Sequence, residues 1–182
     1  MEKSVTEAIN FRRSVRKFDP NKEIDSKIVK KCIENAVLAP TSSNLQLWEF
    51  YHITNKELLI KLSKTCFSQP AASTAKQIIV VVARKDLWKK RANQNISFFD
   101  SKRDELSKKQ YDLTRKYYSK AVPLVYKDFL GIFSYLKYLF ANFLGFFRVM
   151  YRQLRSSDTR IVAHKSAALA SQNFMISMAG FG

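Results

Sequence analysis

Two short motifs near the N-terminus limit the folds and functions open to this chain. The first, FRRSVRKF at residues 11–18, is rich in arginine, and the second, APTSSNLQLW at residues 39–48, is rich in hydroxyl and amide side chains. Guanidinium groups bind phosphate through forked, charge-assisted hydrogen bonds. Hydroxyl and amide groups supply donors and acceptors that can bind the edge of a polar ring. Together the motifs predict a ligand with a phosphate at one end and a heteroaromatic amide system at the other, as in FMN.

The same residues carry a resemblance to a known family. RRSVRKF, followed after one predicted helix by APTSSNLQLWEF, resembles the nitroreductase family of flavoproteins. The apolar stretch IIVVV at residues 78–82 and the segment AHKSAALASQN at residues 163–173 extend the similarity. The resemblance covers residues 1–85 and 157–182, and it leaves residues 86–156 as a variable, aromatic-rich helical segment.

Length and composition favour one folded domain. The chain has 182 residues, of which 46% are hydrophobic, and it contains only four glycines and four prolines, with no repeat or flexible linker. Such a chain can bury a core of its own. We therefore expect a single domain over residues 1–182, and the resemblance implies an α+β fold, a small mixed or antiparallel sheet wrapped by helices.

The resemblance also implies where a cofactor binds. Arg12 and Arg16 would contact the phosphate and ribityl chain of FMN, while residues 41–44 would line the flavin, often from the partner subunit, so that a homodimer holds FMN at its interface. Gln69 matches a position where the family places an amide near the pyrimidine edge. Taken alone, the same residues could form an exposed basic turn and an ordinary helix stop. The cofactor-binding candidates are Arg12, Arg13, Ser14, Arg16, Thr41, Ser42, Ser43, Asn44, Gln46 and Gln69.

Flavin chemistry accounts for what the sequence lacks. The chain shows no catalytic triad, paired carboxylates, metal-ligand cluster or glycine-rich dinucleotide loop. Because a flavin itself carries the hydride, the protein has to bind and orient it, and we expect no catalytic side chain and no metal. His52 and His164 are interpreted as structural. The resemblance implies an NAD(P)H-dependent enzyme that reduces nitroaromatics, quinones or similar small aromatic acceptors by ping-pong hydride transfer. Reductive dehalogenation and flavin destruction are alternative activities within the same fold.

Charge and cysteine content leave a second class of function open. Thirty-two Lys and Arg against fifteen Asp and Glu give a formal net charge of +17, which is also typical of a basic, aromatic-rich protein that binds nucleic acid or a membrane surface. The basic residues are spread along the chain, which favours a solvated surface without a specific nucleic-acid site. Cys32 and Cys66 form no disulfide or zinc motif, and the N-terminus lacks an apolar signal core, so we expect a cytoplasmic protein.

An aromatic-rich stretch over residues 122–151 is interrupted by charges, so it offers no apolar run of the ~18 residues that a membrane span needs. We interpret it as a helical pair that packs on the core or on a second subunit and covers a planar substrate. An interfacial amphipathic helix is the alternative.

Local patterns predict individual elements. Capping-box patterns at residues 4–7 and 54–57, Asp25, and Ser157 with Asp158 mark helix starts. The sequence predicts two strands, one at residues 47–53 and one at the β-branched run of residues 78–83. The second of these is apolar throughout, which predicts burial on both faces.

The end of the chain gives a further expectation. It stops at Gly182, directly after Gly180 and Phe181, whereas the family continues with a loop near the flavin, further strands and a terminal basic residue. The resemblance therefore implies a fold that is incomplete at the C-terminus and binds FMN weakly. A truncated, non-catalytic flavoprotein remnant is an alternative to the active enzyme.

Overall fold

A computed structural model describes residues 2–182 of the protein. Most of these residues are helical, and two short strands form the one sheet in the described part of the chain. In chain order the elements are α1 (Val5–Phe11), α2 (Ser26–Ala36), β1 (Trp48–Ile53), α3 (Lys56–Thr65), α4 (Pro70–Ser73), β2 (Ile78–Ala83), α5 (Trp88–Ser101), α6 (Lys108–Lys116), α7 (Val122–Tyr126), α8 (Ile132–Leu144) and α9 (Ser156–Phe181).

Side-chain caps set the start of the first two helices, as the sequence predicts. The Ser4 hydroxyl accepts a hydrogen bond from the Glu7 N–H at 3.3 Å, and the Glu7 carboxylate accepts one from the Ser4 N–H at 2.8 Å. These reciprocal bonds are the capping box that begins α1. Asp25 caps α2 through its Oδ1, which accepts from the N–H of Lys27 at 2.8 Å.

Two other helices begin beside the predicted cap. The N-cap of α3 is Asn55 and not Thr54, because the Asn55 side chain accepts from the Leu58 N–H at 3.1 Å. Helix α9 begins earlier than predicted, so Asp158 lies inside its first turn. There the Asp158 carboxylate accepts from the N–H of Arg155 at 2.9 Å. In both cases the predicted short polar segment is right and the position of the cap within it is wrong.

The sheet consists of β1 and β2 in antiparallel order. The Arg84 N–H, just after β2, donates to the Leu47 carbonyl, just before β1, at 2.9 Å. Both predicted strands are therefore confirmed, but every residue of β2 is partly exposed, so the prediction of burial on both faces is wrong. The side chains on the two faces of a strand are buried only where other elements cover both faces of the sheet. His52 on β1 has a structural partner, since its Nε2 lies 2.6 Å from Oε1 of Gln77.

The chain divides into two compact units, which are described separately. The first comprises Met1–Ala39, Glu49–Val82 and Ala168–Gly182, and the second comprises Pro40–Trp48 and Ala83–Ala167.

Contacts to the end of α9 organise the first unit. Cys32 on α2 has no exposed surface. Nδ2 of Asn35 donates to Oγ of Ser177 at 2.7 Å. The backbone N–H of Lys3 donates to the carbonyl of Gly180 at 2.9 Å. The N-terminal segment and α2 are thereby held to the same stretch of α9.

Aromatic side chains and leucines form the core of the second unit. The ring of Trp88 stacks on Tyr126 with centroids 6.0 Å apart, and Phe99 stacks on Tyr118 at the same distance. The buried members of this core are Leu45, Leu47, Ala92, Tyr118, Val122, Tyr126 and Ala163.

Lys137 joins α8 to α7. Its ammonium donates to three backbone carbonyls at the end of α7, those of Leu124 at 2.8 Å, Val125 at 3.2 Å and Lys127 at 2.8 Å. Carbonyls at a helix C-terminus have no partner within the helix, so this one side chain satisfies three carbonyls that would otherwise need other partners. Burial lowers the pKa of Lys137 below its usual value.

The aromatic-rich stretch departs in part from its prediction. Helix α7 buries Val122 and Tyr126, as expected of packing on the core. Helix α8 instead leaves much of its aromatic surface open, with Phe140 and Phe143 about 60% exposed, at 62% and 60%. For α8, burial of the aromatic side chains on the core of this chain is therefore wrong, and packing on a second subunit stays a prediction. Among the described residues, every helix is too short or too polar to cross a bilayer.

Candidate functional site

The arginine motif follows directly on the end of α1. The backbone N–H of Arg12 donates to the Ala8 carbonyl at 2.9 Å. The Arg13 guanidinium bonds the carbonyls of Asn10 at 2.5 Å and of Arg12 at 2.9 Å. A cation at this position satisfies carbonyls that the helix leaves unpaired. Arg13 therefore stabilises the end of α1 and is the least available of the three arginines to a ligand.

Arg12 and Arg16 keep their guanidinium groups free. Within residues 2–182, neither side chain has a hydrogen-bond or ion-pair partner. Arg12 is half-buried, whereas Ser14 and Arg16 are exposed. The chain that carries them is anchored further on, where the N–H of Phe18 donates to Oγ1 of Thr74 at 2.9 Å. Unpaired cations on an anchored segment suit an anionic ligand.

Gln69 belongs to the same compact unit as the arginines. It occupies the N-cap position of α4, and its exposed side chain has no partner in the described part of the chain. Phe67 and Ser68, directly before it, have φ angles of 57° and 52°. This left-handed turn sets the direction in which the chain enters α4.

The hydroxyl- and amide-rich motif lies in the second unit, in a loop with unusual backbone geometry. Ser43, Asn44 and Gln46 have φ angles of 55°, 47° and 46°. Residues other than glycine adopt this left-handed conformation at a cost in free energy, and it persists where surrounding contacts hold it. One such contact lies inside the loop, where Oγ1 of Thr41 accepts from the Gln46 N–H at 3.2 Å.

Three side chains from later in the chain hold the loop. The Tyr118 hydroxyl donates to the Ser43 carbonyl at 3.0 Å, and Nδ2 of Asn95 donates to the Asn44 carbonyl at 3.0 Å. The hydroxyls of Ser43 and Tyr117 lie 2.6 Å apart. Both tyrosines belong to a π-helical turn after α6, a conformation that is frequent at functional sites. The loop backbone is thus fixed from outside.

The side chains of Asn95, Tyr117 and Tyr118, which we call the clamp, leave a defined set of polar groups of the loop available. In the described chain, the side chains of Ser42, Asn44 and Gln46 have no hydrogen-bond partner. Ser42 and Asn44 are exposed, and Gln46 is half-buried. One hydroxyl and two amides therefore project from a rigid loop and can donate to or accept from the edge of a ring.

A cavity of about 310 Å³ adjoins the loop within the same unit. Ser42 and Ser43 line it together with the rings of Tyr117, Tyr126 and Tyr151. This volume lies at the lower end of the range for small-molecule sites. Burial raises the pKa of Tyr126 to about 12, so its hydroxyl remains protonated at neutral pH and can donate a hydrogen bond.

A comparison with sequence models of known families decides the classification. The model described as the nitroreductase family matches residues 9–182. The chain belongs to the nitroreductase family. The resemblance carried by RRSVRKF and APTSSNLQLW is therefore confirmed.

Individual relatives in the nitroreductase family match part of the chain. A Staphylococcus saprophyticus protein named as an NAD(P)H nitroreductase is 32% identical over 88 residues, which are 48% of this chain and 40% of that protein. The CLA biosynthesis enone reductase of Lactiplantibacillus plantarum is 32% identical over 88 residues, which are 43% of this chain and 41% of that protein. The chain thus covers about two fifths of the length of these curated relatives.

The solved structures support the fold. A nitroreductase from Exiguobacterium sibiricum, determined in complex with FMN, is 21% identical, with a TM-score of 0.62 over 99% of this chain and 71% of that one. This likeness confirms the predicted α+β nitroreductase-type fold.

The side chains that hold the loop escaped sequence reasoning in this nitroreductase-family chain. Asn95, Tyr117 and Tyr118 lie in the variable segment, where no motif marks them. The signal that the sequence offers is the pair of adjacent tyrosines in a charged helix. Because neighbouring side chains on a helix point in different directions, two such rings contact different parts of what lies beside them. Arg12 to Arg16 and Gln69 lie in the first unit, and Thr41 to Gln46 lie in the second. The role of all ten candidates in binding a cofactor stays a prediction.

Proposed function

We propose that the protein is an FMN-dependent oxidoreductase that uses NAD(P)H to reduce nitroaromatics, quinones or similar electron-poor aromatic acceptors in ping-pong order. Membership of the nitroreductase family supports this, together with the FMN bound to the Exiguobacterium protein and the NAD(P)H in the name of the Staphylococcus relative. The observation that carries the cofactor assignment is the pair of unpartnered guanidinium groups of Arg12 and Arg16.

The residues of both motifs fit the chemistry of FMN. Its phosphate requires cationic donors, for which the forked guanidinium is well suited, and Arg12 and Arg16 supply two. The polar edge of its ring requires hydrogen-bonding partners, which Ser42, Asn44 and Gln46 supply. Arg13 would contribute charge beside the phosphate while it continues to stabilise the end of α1.

The protein would attract FMN and NAD(P)H and would bind and orient FMN, and the cofactor would carry out the reaction. Arg12, Arg16 and the free loop side chains would hold FMN, which would supply the chemistry of hydride transfer between NAD(P)H and the acceptor. Tyr118 and Asn95 hold the loop carbonyls in place, so that the free loop side chains need little reorganisation to meet a ligand. The net charge of +17 raises the local concentration of anionic FMN and NAD(P)H.

The same proposal extends to the organisation of the protein. We propose that residues 1–182 act as one functional domain, because each compact unit carries part of the candidate set. We also propose a homodimer with FMN at its interface, as the family resemblance implies. A cytoplasmic location is in keeping with Cys32 and Cys66, which are both free thiols.

Replacement of Arg12 by alanine tests the cofactor assignment, with Lys17→Ala as the matched control. Both residues belong to the basic motif, but only Arg12 is proposed to contact phosphate. A charge-assisted hydrogen bond contributes about 1.5–3 kcal/mol, so we expect Arg12→Ala to weaken FMN binding by roughly ten- to a hundredfold. Quenching of flavin fluorescence measures this affinity. Equal losses in the two variants would show that only general positive charge matters.

A further inference from the structure

Helix α8 has the reverse of the usual amphipathic arrangement. The side that it buries carries small residues, with Ser134 at 4% and Ala141 at 0% exposure. The side that it exposes is apolar: Ile132, Phe133, Tyr135, Leu136, Leu139, Phe140 and Phe143 are each between 46% and 62% exposed. A surface helix of a globular protein normally turns its apolar stripe inward. The outward direction of this stripe therefore calls for a partner.

The turns on either side of α8 continue the apolar surface. Leu130 is 85% exposed before the helix, and Phe146 and Phe147 are 83% and 76% exposed after it. Leu130 also has a φ of 50°, which places it in a tight left-handed turn with Gly131. We call the exposed residues of α8, with Phe129, Leu130, Phe146, Phe147 and Val149, the outer aromatic face. Contiguous exposed apolar surface of this kind marks an interaction site.

The charge around the outer aromatic face is strongly positive. Five basic residues lie within residues 127–155, namely Lys127, Lys137, Arg148, Arg152 and Arg155, against the single acid Asp128. That acid is engaged, because its Oδ1 accepts from the backbone N–H groups of Phe129 and Ser134 at 3.0 and 2.9 Å. In the described structure, the side chains of Lys127 and Arg148 are exposed and have no partner.

We propose that the outer aromatic face binds the surface of an anionic phospholipid bilayer. A helix with exposed aromatic and leucine side chains and flanking cations lies in the plane of such a surface, with its rings at the boundary between headgroups and acyl chains. Anionic headgroups complement the Lys and Arg at both ends of α8, and each cation near the surface strengthens binding. A second copy of the chain fits less well on this face, because it would bring the exposed Lys127 and Arg148 side chains of two molecules against one another.

Flotation with lipid vesicles tests the proposal on the full chain. We expect retention on phosphatidylcholine vesicles that contain about one third phosphatidylserine, and release as salt is raised from about 0.1 to 1 M, because salt screens the attraction between headgroups and cations. Retention on phosphatidylcholine alone should be far weaker. Equal retention on both compositions would overturn the role given to charge.

Matched variants separate this face from general hydrophobicity and charge. Phe140→Asn with Phe143→Asn should weaken vesicle binding by about tenfold or more, since each ring would lose its burial in the bilayer. The control is Phe67→Asn, because Phe67 is 89% exposed and lies in the other compact unit. Arg148→Gln should cost roughly fivefold, and Lys109→Gln, on α6, should cost much less.

Two results would refute the assignment. In one, wild-type protein is not retained on the anionic vesicles, or the Phe140→Asn, Phe143→Asn variant and Phe67→Asn bind them equally. In the other, light scattering shows that Phe140→Asn with Phe143→Asn breaks a dimer that the wild type forms, so that a second copy covers this face. Circular dichroism of each variant confirms that the helices are intact, as expected for substitutions of exposed side chains.

Discussion

Removal of the Tyr118 hydroxyl tests whether the clamp holds the strained loop. Tyr118 is 8% exposed, and its hydroxyl donates to the Ser43 carbonyl at 3.0 Å. Tyr118→Phe keeps the ring that stacks on Phe99 and removes only this bond. A buried hydrogen bond contributes about 0.5–1.5 kcal/mol, and an acceptor left without its partner adds to the loss. We therefore expect the free energy of unfolding to fall by about 1–2 kcal/mol.

Urea unfolding and thermal melting measure this change. For a domain of this size, about 1–2 kcal/mol corresponds to a fall in Tm of roughly 2–8 °C. The control is Tyr51→Phe, which removes a hydroxyl bonded to Oε2 of Glu49 at 2.7 Å from a ring that is 46% exposed. Because water can replace that bond, the control should lose less than ~0.5 kcal/mol. If Tyr118→Phe lowers the free energy of unfolding no more than Tyr51→Phe does, the loop is held by its own backbone and the role given to Tyr118 is wrong.

Two further predictions follow from burial. Burial raises the pKa of the Cys32 thiol, which has no exposed surface, whereas Cys66 is exposed. Ellman's reagent at about pH 8 should therefore modify Cys66 quickly and Cys32 only on unfolding. Cys66→Ser should abolish the fast reaction. Burial raises the pKa of Tyr126 to about 12, so the folded state holds this proton more tightly than the unfolded state. That stability is fully present below pH ~10 and is lost between about pH 10 and 12. Urea unfolding across this range should show a smaller alkaline loss in Tyr126→Phe, and an equal loss would contradict the shift.

Local signals explain which parts of the fold the sequence could predict. The caps at Ser4 and Asp25 join residues two or three positions apart, so short patterns suffice to find them. The two family motifs suffice to predict the fold class for the same reason, because each is a contiguous stretch of sequence. The β-branched run at residues 78–83 predicts the strand, but the burial of its side chains depends on what packs on the two faces of the sheet, which these residues alone do not indicate.

Long-range contacts explain what the sequence could not predict. The bond between Tyr118 and Ser43 joins residues that are 75 positions apart, with four α-helices between them in the chain, and no pattern within either segment indicates it. The direction of α8 is a second case. Apolar residues recur along this helix at spacings that fit burial, but periodicity identifies the apolar face and not what covers it. The face is turned outward because Ser134 and Ala141 make the closer approach to the rest of the unit.

A substitution of Lys137 can keep the positive charge and still lose the hydrogen bonds that its ammonium makes. Its three hydrogens point in tetrahedral directions, and each has its own carbonyl at the end of α7. Arginine, the usual exchange for lysine, carries its donors in a flat fork and not on a single nitrogen. Such a group cannot meet three carbonyls that surround a point. An exchange that leaves the charge of the protein unchanged would therefore release the end of one helix from the side of the next, and at this position shape constrains substitution more strictly than charge.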